Sequence, residues 1–293
     1  MANKESSLKK KLTTALKLVL TGLALFLVFR KIDTDQLWQI TKTIQWIWLI
    51  PAVLIFVLSK LFTAFRLNLY FKNISLYISE KINIKLYLIG MFYNLFLPGG
   101  IGGDGYKVYL LNKHYRTPVK SLVQASLLDR LGGLVAIVFL LFVLIPLVDI
   151  SLPFASQIPW DLLVILAALL VFPIFWLIQK LMFKAFLPSF WKANGWSMAG
   201  QLAQLVCAWF ILKSLGVTEH FLAYQLVFLL SSIVAVLPLT IGGVGARELV
   251  FVYAHTYAGI DEAIAVAFSL IFFLISAAVS LIGSSVTIDF YEK

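Results

Sequence analysis

Apolar segments of about 20 residues recur along the whole chain, and this pattern limits what the chain can fold into. A segment of that length crosses the hydrocarbon core of a bilayer as a helix, because its backbone groups find no partners in lipid. Only 13% of the 293 residues are charged, whereas a soluble domain carries roughly 25%. The sequence therefore predicts an all-α polytopic membrane protein with a single integral membrane domain, residues 1–293.

Eight apolar segments can be distinguished, and six of them are long enough to cross the membrane. The predicted full spans lie near residues 12–29, 46–65, 121–147, 160–182, 196–215 and 263–288. The other two segments, 84–97 and 221–237, are shorter. A helix over 84–97 would rise only about 21 Å, against a hydrocarbon core of roughly 30 Å. Each short segment runs directly into a glycine-rich motif.

The glycine-rich motif occurs twice, nearly half the chain length apart. Residues 97–107 read LPGGIGGDGYK and residues 237–247 read LPLTIGGVGAR, so both fit L-P-x-x-I-G-G-x-G-x-[K/R]. A broken apolar segment at matching positions of two halves is typical of secondary transporters, although two ordinary interfacial loops remain an alternative. The predicted hairpin-tip glycines are Gly99, Gly100, Gly102, Gly103, Gly105, Gly242, Gly243 and Gly245.

The distribution of positive charge favours re-entrant hairpins over full crossings at these two motifs. With a cytoplasmic N-terminus and two hairpins, most of the 24 Lys and Arg residues fall on the cytoplasmic side, including those of 107–120 and 180–192. If the first motif crossed, both stretches would lie outside, and 148–159, which has no Lys or Arg, would lie inside. We therefore predict six spans and two re-entrant hairpins in the cell inner (cytoplasmic) membrane, with both termini cytoplasmic.

This topology also relates the two hairpins to each other. The chain crosses three times between them, so they enter from opposite faces of the membrane. The prediction is an inverted repeat with halves of approximately 1–147 and 148–293. Irregular backbone at membrane depth is tolerated where it is buried in protein or lines a wet cavity, so the glycine-rich tips are expected to line one.

Each motif leads into a helix whose first turn carries a cation. The helices are predicted to begin near Asp104 and Val244, which places Lys107 and Arg247 in their first turns. Free N–H groups and the partial positive charge of a helix N-terminus form a ready anion site, and a lipid phosphate is the expected anion. Glu248 beside Arg247 is a candidate local partner. A helix N-cap is the alternative role for Asp104.

Further ionisable residues lie within or at the edge of apolar segments, where they are functional candidates. Asp129 and Arg130 are adjacent, so their side chains point about 100° apart on a helix. An inter-helix ion pair is the structural alternative for both. Arg66 is predicted to end the second span, with snorkelling to the cytoplasmic head groups as its alternative role. Snorkelling is also the predicted state of Lys60.

Other chemistries lack support in the sequence. The three histidines share no metal-ligand spacing, and Cys207 is the single cysteine. No nucleotide-binding loop or Ser-His-Asp arrangement stands out. The net charge of +10 resides in loops between spans, which is the membrane pattern rather than a nucleic-acid groove. We therefore predict no metal, no cofactor, no nucleic-acid partner and no catalytic residues.

The residues NLFLPGGIGGDGYKVYLL, LLDRLGG and LPLTIGGVGARE, with the arginine after the second span, resemble the lysylphosphatidylglycerol synthetase transmembrane-region family, also called the flippase-like domain family. The resemblance extends from about residue 10 to residue 288 and implies translocation of lipids with large polar head groups. Cargoes suggested for the family include aminoacyl-phosphatidylglycerol, polyprenyl-linked sugars and hopanoid precursors. Lys107 departs from the arginine expected there. The chain ends at Lys293 without the soluble aminoacyl-transferase domain of some members, so a stand-alone member is expected.

The leading hypothesis is a lipid flippase that is not an enzyme. Its phosphate site would use Lys107, Arg130, Arg247 and the two helix N-termini, with the acyl or prenyl tails left in lipid. One alternative is an intramembrane lipid-modifying enzyme, for which Asp104 is the candidate base. Another is a non-transporting partner subunit of a separately encoded lipid synthase or glycosyltransferase. The sequence leaves the oligomeric state open.

Overall fold

The computed structural model describes residues 39, 42–96, 102–148, 160–236 and 246–290. These residues contain nine α-helices: α1 Leu49–Asn73, α2 Glu80–Phe96, α3 Gly102–Tyr115, α4 Val119–Leu144, α5 Trp160–Met182, α6 Phe190–Ser214, α7 Phe221–Val236, α8 Ala246–Ala258 and α9 Glu262–Ile282. Short 3-10 helices, Trp46–Trp48, Ile145–Leu147 and Lys184–Ser189, adjoin α1, α4 and α6.

Within the described residues, five helical segments are long and apolar enough to cross a membrane. They are Trp46–Asn73, Val119–Leu147, Leu162–Met182, Lys184–Ser214 and Glu262–Ile282. The prediction of an all-α polytopic membrane protein is confirmed. These segments correspond to five of the six predicted full spans, and the sixth, 12–29, lies outside the described residues.

The second span is longer than predicted. α1 continues through Arg66 to Asn73, because Leu67, Tyr70 and Phe71 extend its buried face into the protein. The chain then turns at Ser75, which has a φ of 60°. The prediction that the span ends at Arg66 was wrong.

The first predicted hairpin consists of two helices, α2 and α3, that pack against each other. The backbone N–H of Gly103 donates a hydrogen bond of 2.8 Å to Oδ1 of Asn94, and Gly90 faces the side chain of Lys107. The pairing therefore runs antiparallel. A Cβ at Gly103 would overlap the carbonyl oxygen of Gly90, so glycine is required for this close approach.

The helix that follows the first glycine-rich motif begins earlier in the motif than predicted. α3 begins at Gly102 rather than near Asp104, so Gly102, Gly103 and Gly105 belong to its first turn. Gly99 and Gly100 lie outside the described residues.

The second predicted hairpin corresponds to α7 and α8, which also pack against each other. α8 agrees with the helix predicted to begin near Val244, and its described part begins at Ala246. Gly242, Gly243 and Gly245 lie outside the described residues.

Two clusters of buried apolar side chains organise the helices. One contains buried residues of α7, α8 and α9, and the other contains buried residues of α2 and α3. α1, α4 and α6 contribute buried residues to both clusters. Where these three helices pass from one cluster to the other, they carry polar side chains: Thr63 and Arg66 on α1, Asp129 and Arg130 on α4, and Ser197 and Gln201 on α6. A polar layer thus separates the clusters.

Candidate functional site

A partly open cavity of about 180 Å³ lies in the polar layer. Helices α1, α2, α3, α4 and α6 contribute its walls, together with Val236 at the end of α7. Its polar lining consists of Thr63, Arg66, Tyr87, Asn94, Asp104, Lys107, Asp129, Arg130 and Gln201. Five of the seven ionisable residues predicted for the site therefore lie at one cavity.

Arg66 is held by partners on two other helices. Its Nε donates to Oδ1 of Asp129 on α4 at 2.7 Å. Its Nη1 donates to Oγ of Ser197 on α6 at 3.0 Å. Gly133 of α4 faces the guanidinium, and a Cβ there would lie 3.5 Å from Nη1, an ordinary van der Waals distance. Arg66 is buried, so the snorkelling alternative was wrong.

Asp104 bridges two cations from different helices. Its Oδ1 accepts from Nζ of Lys107 at 2.7 Å, and its Oδ2 accepts from Nε of Arg130 at 2.5 Å. The side chain of Arg130 is 29% exposed, compared with 5% for Lys107. Asp104 lies inside α3 and its carboxylate is used in these ion pairs, so the N-cap alternative was wrong.

The neighbours Asp129 and Arg130 diverge as expected for adjacent residues on a helix. Asp129 pairs with α1 and Arg130 pairs with α3, yet both line the same cavity. The inter-helix ion pairs foreseen as an alternative are therefore present. Together the cluster holds the cations Arg66, Lys107 and Arg130 against two carboxylates, which leaves a surplus of one positive charge.

Arg247 and Glu248 are not among the residues that line this cavity. The guanidinium of Arg247 lies over the rings of Phe228 and Phe272, with Cζ 5.5 and 4.8 Å from their centroids. Glu248 is fully buried and accepts a hydrogen bond of 2.8 Å from Ser269. Both residues lie away from the cavity because α8 packs in the cluster that contains α7 and α9, and not in the cluster that contains α2 and α3. The structure does not assemble Lys107, Arg130 and Arg247 into one clamp.

Lys60 also departs from its prediction. Its Nζ lies 4.6 Å from the ring centroid of Phe56, a fully buried residue of the same helix. The ammonium group is therefore directed back along α1 towards the first cluster, and the predicted snorkelling to the cytoplasmic end was wrong.

Several polar residues of the site were not singled out from the sequence. Ser197 and Gln201 lie four residues apart on α6, a spacing that places them on one face. Asn94 lies on the hairpin helix α2 and accepts from Gly103. Small and polar residues at helical spacing within apolar segments mark helix interfaces in membranes, and this was the available signal. The described residues contain no group of three His, Cys, Asp or Glu side chains suited to a metal ion.

The fold and the site define a multi-pass α-helical membrane domain with an ionised cavity between its helices. The family model described as "Lysylphosphatidylglycerol synthase TM region" matches residues 14–283, and the chain belongs to this family. It is thus a membrane domain with a lipid-related role. No curated protein and no solved structure matches the chain.

Proposed function

We propose that the protein is a translocase that moves a phosphate-containing lipid with a polar head group across the cytoplasmic membrane. The observation that carries the proposal is the partly open cavity between the helices that is lined by Arg66, Asp104, Lys107, Asp129 and Arg130. Ionised side chains at membrane depth are costly, and they mark substrate pathways in membrane proteins. Membership of a lipid-related membrane family agrees with this role.

The charge of the cavity suits a phosphodiester. Such a group carries one negative charge, which would neutralise the surplus positive charge of the cluster. Arg130 is the most exposed of the three cations, so an entering head group would reach it first. The cavity of 180 Å³ has the volume of about six water molecules. It therefore accommodates a phosphate and a small polar group, while the hydrocarbon chains stay outside.

The ion pairs favour transport over catalysis. Asp104 and Asp129 are both engaged with cations at 2.7 Å or less. A carboxylate held in this way is a weak base, which argues against the enzymatic alternative. A phosphate that binds Arg130 competes with Asp104, so head-group entry would loosen the contact between α3 and α4.

The topology supplies a route between the two leaflets. Three of the candidate spans lie between the α2–α3 pair and the α7–α8 pair. If all three cross and each pair is a re-entrant hairpin, the two hairpins enter from opposite faces, which is the inverted repeat of many secondary transporters. Movement of α3 after loss of the Asp104 contact would then open the cavity on one side.

Arg130→Ala tests the proposal directly. In liposomes with fluorescent phosphatidylglycerol, we expect wild-type protein to scramble the lipid and Arg130→Ala to be slower by roughly ten-fold or more, because it lacks a charge-assisted hydrogen bond to the phosphate. Scrambling is measured by dithionite quenching of the outer leaflet. Lys120→Ala is the matched control, since Lys120 is an exposed cation on the same helix that does not line the cavity.

Two results would contradict the proposal. Equal scrambling rates for Arg130→Ala and Lys120→Ala would show that the cavity is not on the transport path. Wild-type protein that scrambles nothing but yields a chemically altered lipid, with the product lost in Asp104→Asn, would replace transport by enzymatic modification.

A further inference from the structure

An apolar groove runs along the outside of the protein between α4 and α5. Its volume is about 460 Å³, and every residue that lines it is apolar. Phe175, which is 4% exposed, forms the buried floor. Leu170 and Ile174, each 53% exposed, form the edge contributed by α5. The groove is therefore open to the lipid phase and has a defined floor.

The length of the groove matches a hydrocarbon chain. On α5 its lining residues recur on one helical face from Ala167 to Ile178. At 1.5 Å per residue this stretch is about 17 Å long. One leaflet of the hydrocarbon core is about 15 Å thick, which is half of the roughly 30 Å core. The groove can thus hold one extended acyl chain along most of its length.

The groove adjoins the polar cavity. Leu134 of α4 lines both of them. Arg130 precedes Leu134 by about one helical turn, and Val138 follows it by another, so the three lie on one face of α4. Arg130 lines the cavity and Val138 lines the groove. One face of α4 therefore carries a cation followed by an apolar surface. This order matches the phosphate and the acyl chain of a phospholipid.

We propose that one acyl chain of the lipid whose phosphate occupies the polar cavity lies in this groove, with Leu134 at the junction. The inference rests on the proposed function and specifies its substrate as a lipid held by head group and chain together. Lipid that merely surrounds the protein would contact the exposed sides of all its helices without such a link.

Photolabelling tests this arrangement. Phosphatidylglycerol with a diazirine midway along one acyl chain is added to proteoliposomes, and adducts are mapped by peptide mass spectrometry after illumination. We expect adducts concentrated on residues 167–178. Leu170→Trp places a larger side chain in the groove, where it takes the space of the acyl chain. The yield of adducts should therefore fall roughly ten-fold. Leu169→Trp is the matched control, because Leu169 is 66% exposed and does not line the groove.

A second kind of variant tests whether the acyl chain in the groove is linked to the head group in the cavity. Arg130→Gln should also reduce labelling of residues 167–178, because the phosphate no longer anchors the chain beside them. Adducts spread evenly over the exposed helices, equal yields in the two tryptophan variants, or labelling that survives Arg130→Gln would each overturn the inference. Scrambling is read in the same liposomes. Wild-type protein that labels as expected but does not scramble would contradict the translocase and leave the chain site intact.

Discussion

Asp129→Ala should lower the thermal midpoint of the detergent-solubilised protein by on the order of 10 °C. The substitution leaves Arg66 buried, with its Nε deprived of the carboxylate that accepts from it at 2.7 Å. Removal of one partner from a buried ion pair costs about 3–5 kcal/mol. The midpoint is measured by fluorescence-detected size exclusion after heating.

The double variant Arg66→Met, Asp129→Leu is the control for this prediction. It removes both charges and fills the space with apolar side chains, an exchange that is often neutral for stability. We expect its midpoint to lie near that of the wild type, while transport is lost because the cavity loses its polar wall. A single variant as stable as the wild type, or a double variant no more stable than the single one, would show that this pair does not hold α1 to α4.

Gly103→Ala should separate the two helices of the first hairpin. The added Cβ would overlap the carbonyl oxygen of Gly90, and a backbone atom cannot move aside as a flexible side chain can. Overpacking of this kind costs typically about 1–3 kcal/mol, and here it also strains the hydrogen bond from Gly103 to Asn94. We expect a lower thermal midpoint and a loss of scrambling, because Asp104 and Lys107 follow directly on the displaced turn.

Gly105→Ala is a matched control two residues further along the same helix. A Cβ at Gly105 meets nothing within 4 Å. Alanine in a helix is more stable than glycine by roughly 0.5–1 kcal/mol, so this variant should be as stable as the wild type or slightly more stable. Equal behaviour of the two variants would contradict the close packing of α2 against α3.

Much of the fold could be predicted because the lipid bilayer restricts the structures that can span it. The length of each apolar segment predicted the spans, and five of them are long apolar helices in the described residues. The re-entry of 84–97 stays a prediction. The same logic singled out Arg66, Asp129 and Arg130, since ionised groups in apolar segments need partners, and each of them has one. Which partner each one takes depends on the rotation and depth of its helix. Sequence spacing could not provide that information, so the pairing with Ser197 was not foreseen.

The repeated motif predicted that its two cations would bind one phosphate, and the structure gives them different surroundings. Lys107 has Asp104 three residues earlier on its own helix, whereas the corresponding neighbour of Arg247 is Val244. Without that carboxylate, the guanidinium of Arg247 lies against aromatic rings. The motif repeats the terminal cation, but the environment of that cation depends on the other helices packed around it.

The arrangement of the two apolar clusters limits which helices can move relative to one another. Because α1, α4 and α6 each enter both apolar clusters, sliding one cluster past the other would bend three long helices at once. The clustered buried residues of α2 and α3 belong to one cluster and those of α7 and α8 to the other, although Met91 of α2 also packs against the cluster of α7 and α8. The three long helices thus join the two clusters, and α2 is also tied to α9, because Gly283 at the end of α9 faces the carbonyl oxygen of Leu88. A shift of the α2–α3 pair would therefore disturb its contact with α9 as well as its contacts with α1 and α4.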